Sequence, residues 1–459
     1  MSNNKNSKIL KVAFYPWYAF GHLIPNLRLA NQLAERGHQI SFFLPSKIQT
    51  KLASYNHHPD HISFIPIDIP HVDGLPPGAG AANNVPASAL TFLMRAMDMT
   101  RDTMEDHLLH VKPDIVFYDF TCWMPELARK HGIKAVYFCQ SYVMTFAYFC
   151  PFKRKESNNP TAADLVAPPP GFPSQSIWLR AQEAADVEAA PVNTVYGPEH
   201  LTLLDRVNKS LRECDAIGAK SFKELEGAYC EYVEKVYGKP VLLAGPLITK
   251  LASSKLDERI HGWLQGFDDA SVIYCALGSE CVMNLNHFQH LLLGLELTGR
   301  PFFVVLRPPT GYRTIESAFP KGIEERTKGR GMMHGGWVQQ QLILQHPSVG
   351  CFVTHSGPGS ISEAMISSEC QLVLLPQILD QYLIARMMSL ELKVGIEVEE
   401  CTKEAISKAI STVMDGNNDV AKEVRANRVK WRKYLLREGP RLEESYISSF
   451  IYNLQKLLE

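Results

Sequence analysis

Two residues far apart in the chain could together move a proton. They are His22, in "FGHLIP", and Asp119, which closes the apolar run "DIVFYD". A carboxylate on one imidazole nitrogen fixes the tautomer. It also stabilises the imidazolium that forms when the other nitrogen takes a proton, which makes such a pair a general base. Most single histidines only cap a helix or fill space, and Asp119 at the carboxyl end of a strand moves His22 out of that class. Gly21 permits a tight turn before it, and Pro25 suits the first turn of a helix. Asp114, at the opposite end of the same run, is expected to be solvated.

A second cluster follows "VGCFVTH". The turn "THSGPGSISE" (354–363) leads into a helix expected to start near Ser360. Two readings are open on local sequence. A helix N-terminus offers unpaired N–H groups and partial positive charge, so Gly357 and Gly359 would let backbone approach a phosphate, with the Ser360 hydroxyl alongside. Alternatively, Ser360-x-x-Glu363 fits a capping box that satisfies the helix's own first N–H groups. Neighbouring strand ends favour the first. Trp337 and Gln340 lie one β-α unit earlier, and Asp380 and Gln381 follow "QLVLLP". An aromatic platform, a phosphate cradle and a pair of hydroxyl-binding side chains suit a base, a pyrophosphate and a sugar, in that order.

These residues need strand ends to stand on. Short β-branched runs at 11–16, 38–45, 62–67, 114–119, 134–138, 215–221 and 241–246 alternate with helical stretches such as Leu23–Arg36 and Ala87–His110. The alternation restarts at 270–278, 301–309, 331–337, 349–355, 371–376 and 394–399. Near-continuous apolar strands separated by helices predict parallel sheets covered on both faces. The fold class expected is α/β, with two Rossmann-like, doubly wound domains facing across a cleft lined by strand carboxyl ends. The divisions predicted are 1–248, 249–435, and a final helix, 436–459, packing back on the first domain. Residues 151–195, rich in Pro and Ser, form an insertion too long for an ordinary βα loop.

The 459 residues are 46% hydrophobic and 21% charged with net charge −1, as in soluble globular domains. Such a balance gives nucleic acid or an anionic membrane nothing to attract. The polar start lacks a signal-peptide core, and no stretch approaches the roughly 18 apolar residues of a membrane span. A cytoplasmic monomer is expected. The ten cysteines are scattered without a CxxC pair and read as free, mostly buried thiols. His57, His58 and His61 read as a solvated loop rather than a metal site, His346 as a structural hydrogen-bond partner, and His38 as a surface residue.

Residues 337–381, "WVQQQLILQHPSVGCFVTHSGPGSISEAMISSECQLVLLPQILDQ", resemble the signature box of plant family-1 UDP-sugar glycosyltransferases. The matching positions are Trp337, Gln340, His346, Pro347, Gly350, Phe352, His355, Gly357, Ser360, Glu363, Pro376, Asp380 and Gln381. The resemblance extends over nearly the whole chain. It implies a GT-B fold with the acceptor in the N-terminal domain and the UDP-sugar in the C-terminal one. It implies that Trp337 stacks on uracil, with Val338 and Gln340 nearby, and that Glu363 accepts the ribose hydroxyls. His355, Ser360 and Ser279 would bind the pyrophosphate, and Asp380 and Gln381 the sugar. His22 and Asp119 would be the catalytic dyad. Three positions depart from the box. Ser356 replaces the usual Cys, Pro358-Gly359 the usual aromatic-Asn pair, and one residue is added within 367–370, where a loop can absorb it.

The reaction so implied is displacement at the sugar's anomeric carbon with inversion, helped by His22 and needing neither metal nor cofactor. Tyr18, Phe20, Trp123, Tyr142 and Phe146 are expected to receive a flat phenolic acceptor. The start "PWYAFGH", the box opening "GWVQQQ" and Gly359 resemble the branch that extends a sugar already on a flavonoid, anthocyanin or phenylpropanoid glycoside. UDP-glucose is the expected donor ahead of UDP-rhamnose or UDP-xylose. A non-catalytic UDP-sugar binder would not need the His22–Asp119 pair. A dinucleotide oxidoreductase should carry GxGxxG after a strand, and none is present.

Overall fold

The computed structural model describes residues 8–82, 85–86, 89–149, 161–190, 195, 201–247, 255–278 and 281–459. Their strands form two sheets, parallel throughout. The first contains β1 (Lys11–Tyr15), β2 (Gln39–Pro45), β3 (Ile62–Ile67), β4 (Ile115–Tyr118), β5 (Lys134–Cys139), β6 (Ala216–Ala219) and β7 (Val241–Leu243). Their order is β3-β2-β1-β4-β5-β6-β7. The second contains β8 (Val272–Ala276), β9 (Phe302–Val305), β10 (Gly331–His334), β11 (Val349–Thr354), β12 (Gln371–Leu374) and β13 (Gly395–Glu397), ordered β10-β9-β8-β11-β12-β13. The strand order reverses once in each sheet, between β1 and β4 and between β8 and β11. At such switch points the loops diverge and leave a crevice outside the strand ends, where ligands bind.

The chain divides into two compact units. Met1–Pro173, Ala184–Leu247 and Arg441–Glu459 make the first; Ser174–Glu183 and Ile248–Pro440 make the second. In the first, Phe14, Phe42 and Phe117 sit side by side across β2, β1 and β4, the Phe14 and Phe117 rings 4.8 Å apart. Ile447, Phe450, Ile451 and Leu454, from the last turns of the helix Asp419–Lys456, close this core, and their spacing is the apolar stripe of an amphipathic helix. In the second unit the insertion's Glu183 receives the buried Arg386 guanidinium at 2.6 and 2.7 Å, and Arg180 bridges Glu183 and Glu397. Residues 151–160 and 191–194 of that insertion lie outside the described residues. No helix among the described residues is long and apolar enough to cross a membrane.

Several local expectations change. The stretch Ala87–His110 gives two helices, Leu90–Asp98 and Arg101–Val111. Between them Thr100 turns its hydroxyl onto the Met97 carbonyl (2.6 Å) and joins the Tyr15 hydroxyl (2.6 Å), a local bond that competes with helix continuation. The first helix starts at Phe20, so Pro25 stands inside it rather than in its first turn. His38 is buried, not at the surface: its Nδ1 accepts the Leu10 N–H, and burial lowers its pKa. Asp114 is not merely solvated, since it accepts the Lys11 N–H and the Lys8 ammonium and ties down the start of β1. His346 does bond locally, to the Ser348 hydroxyl at 2.8 Å.

Glu226, 1% exposed, accepts the Met144 N–H at the start of the helix Val143–Phe149. Burial raises its pKa from 4.5 to about 7. The folded carboxyl therefore keeps its proton where the unfolded chain has lost it. The group's contribution to stability is complete below pH 4.5, declines as pH rises toward 7 and is constant above. The decline is on the order of 3 kcal/mol. Glu226→Gln should thus melt several degrees above the wild type at pH 8, with the gap closing by pH 5. A pH-independent difference in the melting curves would contradict this.

Candidate active site

At the first switch point, β1 is followed by Trp17 and the helix Phe20–Ala34, with His22 in its first turn, and β4 is followed directly by Asp119. His22 Nδ1 lies 2.8 Å from Asp119 Oδ2. Asp119 is 1% exposed and the His22 side chain 19%, so the carboxylate is enclosed while the imidazole retains access to solvent. A buried carboxylate must be compensated by donors. Asp119 accepts the Trp17 N–H at 2.8 and 3.0 Å and the Phe120 N–H at 2.6 Å besides the imidazole. The same bonds pin the loop after β1, so one carboxylate sets both loop and ring. Phe120 packs edge-on against His22 at 4.9 Å between centroids.

The five aromatic residues expected to face an acceptor separate into two groups. Phe20, Tyr142 and Phe146 are partly exposed. Tyr18 and Trp123 are buried, which corrects their reading as surfaces for an acceptor. The Tyr18 hydroxyl bonds Tyr15 at 2.5 Å, and Trp123 Nε1 donates to Asp98 at 3.2 Å. Burial raises the pKa of the Tyr18 phenol and keeps it neutral. Phe120 packs on His22 and Trp17 holds Asp119 through its N–H, two residues adjacent in sequence to positions already singled out but not themselves noticed.

At the second switch point, β8 ends before Gly278 and β11 before His355. The His355 ring is wedged between two glycines. A Cβ on Gly278 would come within 2.7 Å of it and one on Gly357 within 2.4 Å. A side chain at Gly357 would therefore clash with the histidine ring packed on it. Burial lowers the His355 pKa to about 4, so its imidazole is neutral near pH 7. Ser356 is fully buried at φ 68°. The helix begins earlier than expected, Pro358–Ser367 with Gly357 as cap and no side-chain capping bond. Ser360 is then the third helical residue, and the capping-box reading fails. Proline at the first position has no N–H, which leaves the N–H groups of Gly359 and Ser360 at the open end. Nothing lies within 4 Å of the Cβ direction at Gly359.

Trp337, 80% exposed, is the most exposed large apolar side chain among those described. Gln340 opens the next helix and accepts from Tyr274 (3.4 Å) while donating to Glu363 (2.9 Å) and Ser360 (3.4 Å), which ties platform, turn and carboxylate together. The Val338 carbonyl accepts the Gln340 N–H. Asp380 starts the helix Asp380–Arg386 after Leu379, held at φ 48°, ψ −122°. Gln381 is buried, and its Oε1 accepts the Gln377 and Ile378 N–H groups, so this oxygen shapes the loop. Around the loop after Ser367, buried Arg428 donates to the carbonyls of Ala364, Ser368 and Cys370. Ser279 lies outside the described residues.

Known proteins share both the sequence and the fold. Residues 314–426 match the family model described as UDP-glucoronosyl and UDP-glucosyl transferase. A cyanidin 3-O-galactoside 2''-O-xylosyltransferase of Actinidia chinensis var. chinensis is 50% identical over 97% of this chain and 98% of its own. An anthocyanidin 3-O-glucoside 2''-O-glucosyltransferase of Ipomoea nil is 46% identical, covering 97% and 98%. The crystal structure of a UDP-glucose: anthocyanidin 3-O-glucosyltransferase in complex with UDP superposes with a TM-score of 0.75, at 23% identity, over 98% of this chain and 99% of that one.

Proposed function

The chain belongs to the UDP-glycosyltransferase family, with the GT-B fold, and from that premise we propose that it adds a sugar from a UDP-sugar to the existing sugar of a plant phenolic glycoside. The observation that carries this reading is the full-length identity to enzymes named for 2''-O-transfer onto anthocyanin glycosides, in a chain whose His22 is oriented by Asp119 at 2.8 Å. A sugar hydroxyl is a poor acid, so a base held in one tautomer matters more for it than for a phenol.

In the proposed reaction the His22 nitrogen not bonded to Asp119 takes the proton as the acceptor oxygen attacks the anomeric carbon. The bond from that carbon to the UDP oxygen breaks, and configuration inverts. Charge on the departing pyrophosphate is met by the N–H groups of Gly359 and Ser360, the Ser360 hydroxyl, Ser279 and neutral His355, with no metal. Trp337 carries the uracil, with Val338 beside it. Glu363, held by Gln340, takes the ribose. Asp380 takes the sugar hydroxyls together with the Gln381 amide nitrogen. UDP-glucose is the proposed donor. The similar identities of relatives named for xylose and for glucose make UDP-xylose its main competitor, alongside UDP-rhamnose.

The test is product mass after incubating the purified chain with each of the three donors and cyanidin 3-O-galactoside, cyanidin 3-O-glucoside or cyanidin. One added sugar on the glycosides, with much slower turnover of cyanidin, is expected. Product from cyanidin alone would mean transfer to the phenol. UDP-sugar binding without UDP release on any acceptor would mean a binding protein.

A further inference from the structure

The strap Ser174–Glu183 comes from the insertion in sequence, yet it packs with the second unit. Its Ile177 and Leu179 are fully buried, and the Arg386 guanidinium lies over the Trp178 ring, 5.5 Å from its centroid. Arg386 Nη2 donates to both oxygens of Glu183, which also accepts the Arg180 N–H at 2.8 Å. The Arg180 guanidinium reaches Glu183 at 2.9 Å, Glu397 at 2.7 Å and, on its outer side, Glu399 at 3.2 Å. Glu397 stands 3.6 Å from Arg386. Two guanidinium groups and two carboxylates thus close a ring of ion pairs. Its inner members are out of water, Arg386 at 1% exposed, Glu397 at 7% and Glu183 at 9%.

A buried ion cluster adds little net stability, because desolvating its members costs about as much as their attraction returns. What it does fix is geometry. Arg386 is the last residue of the helix Asp380–Arg386, and its Nη1 folds back onto the Tyr382 carbonyl at 3.2 Å. The other end of that helix is shaped separately. Gln381 Oε1 accepts the Gln377 and Ile378 N–H groups, and the Tyr382 hydroxyl donates to the Gln377 carbonyl at 2.8 Å. Between them Leu379 sits at φ 48°, a conformation that persists only where its surroundings over-determine it. A seven-residue helix is about 10 Å long, so a tilt of about 6° around one end moves the other by about 1 Å. A shift of that size can lower a rate about 10²-fold. We propose that the ion-pair ring on the strap positions the helix Asp380–Arg386, and through it sets Asp380 and the Gln381 amide against the sugar of the donor. This rests on the reading above in which those two residues meet that sugar. Glu183, Arg180 and Arg386 are positioning residues that act through the helix, and the strap gives the insertion a part in holding the donor.

Glu183→Gln keeps the shape of the side chain, removes its charge and leaves one acceptor oxygen for Arg386. Titration calorimetry below the melting transition compares UDP with UDP-glucose, UDP-xylose and UDP-rhamnose. UDP should bind as it does to the wild type, since Trp337 and Glu363 stand on other elements. The UDP-sugar that the wild type binds best should bind Glu183→Gln about tenfold more weakly. Asp380→Ala should weaken the same UDP-sugar, and adding Glu183→Gln to it should cost less than Glu183→Gln costs alone, because both act on one contact. Equal losses for UDP and UDP-sugar, an unchanged UDP-sugar affinity, or losses that multiply in the double variant overturn the proposal. Where Glu183→Gln does not fold, Arg180→Met, made at the rim where the side chain is 27% exposed, is judged by the same outcomes. Failure of the broader reading has its own signature: Asp380→Ala would weaken the UDP-sugar no more than UDP. A weakened Asp380→Ala beside an unaffected Glu183→Gln loses only the role of the ring.

Discussion

Replacing His22 by Ala should lower kcat by about 10²–10⁴-fold, the usual contribution of a positioned general base, while UDP binding stays at the wild-type value. The separation is expected because His22 and the residues proposed to hold the donor belong to different compact units, with His22 on the first sheet and Trp337, Gln340 and Glu363 on the second. The substitution is also benign locally. Ala is the best helix former, and the backbone carbonyl of residue 22, which accepts from the buried Asn26 amide at 2.9 Å, is untouched. A fall in kcat therefore reports lost proton transfer and not a disturbed helix. Initial rates of UDP release at saturating donor, with calorimetric UDP affinity as control, measure both quantities. A kcat within about threefold of wild type would remove His22 from the chemistry. Weaker UDP binding would mean that the helix Phe20–Ala34 had moved.

The sheets were legible in the sequence because buried parallel strands read as nearly unbroken apolar runs, and each run expected to be a strand became one, most of them trimmed at their ends. Strand order was not legible. No local pattern says that β4 lies beside β1, yet that adjacency is what brings Asp119 to His22. The misses share a physical cause: each turned on what a side chain meets across the fold. Thr100 broke a helix because Tyr15 was waiting for its hydroxyl. His38 was buried by accepting a distant N–H. The His355 ring packs on Gly357, a demand for a small residue that the turn alone does not signal. Trp17 and Phe120 went unnoticed because an aromatic next to a catalytic position carries no signal of its own. Only their contacts mark Trp17 and Phe120, whose N–H groups donate to Asp119. Pro358-Gly359, conspicuous as a departure from the box, starts a regular helix whose second residue faces open space.

Asp119→Asn should be nearly as damaging as loss of the base itself, on the order of 10³–10⁴-fold in kcat, by reversing the tautomer of His22. The carboxylate takes three donors: Trp17 N–H across both oxygens, Phe120 N–H on Oδ1 and the imidazole on Oδ2. An asparagine offers one acceptor oxygen and one donor amide. Placing the oxygen at Oδ1 keeps both backbone donors, which is the arrangement of lower cost, since a buried N–H left unpaired costs roughly 1–3 kcal/mol. The amide then faces His22 Nδ1, which must accept, and the ring's proton moves to the nitrogen that should receive the acceptor's proton. The base is occupied before the reaction begins. Because the two residues act as a unit, the His22→Ala/Asp119→Asn double variant should be little slower than the slower single one, far from the product of both losses. Placing the oxygen at Oδ2 instead would preserve the tautomer but strand the Phe120 N–H and loosen the loop. That outcome would appear as a lowered melting temperature with kcat largely retained. Rates of the two single variants and the double variant, read beside their melting temperatures, decide between the arrangements. Multiplicative losses in the double variant would show that Asp119 acts on the loop and not through His22.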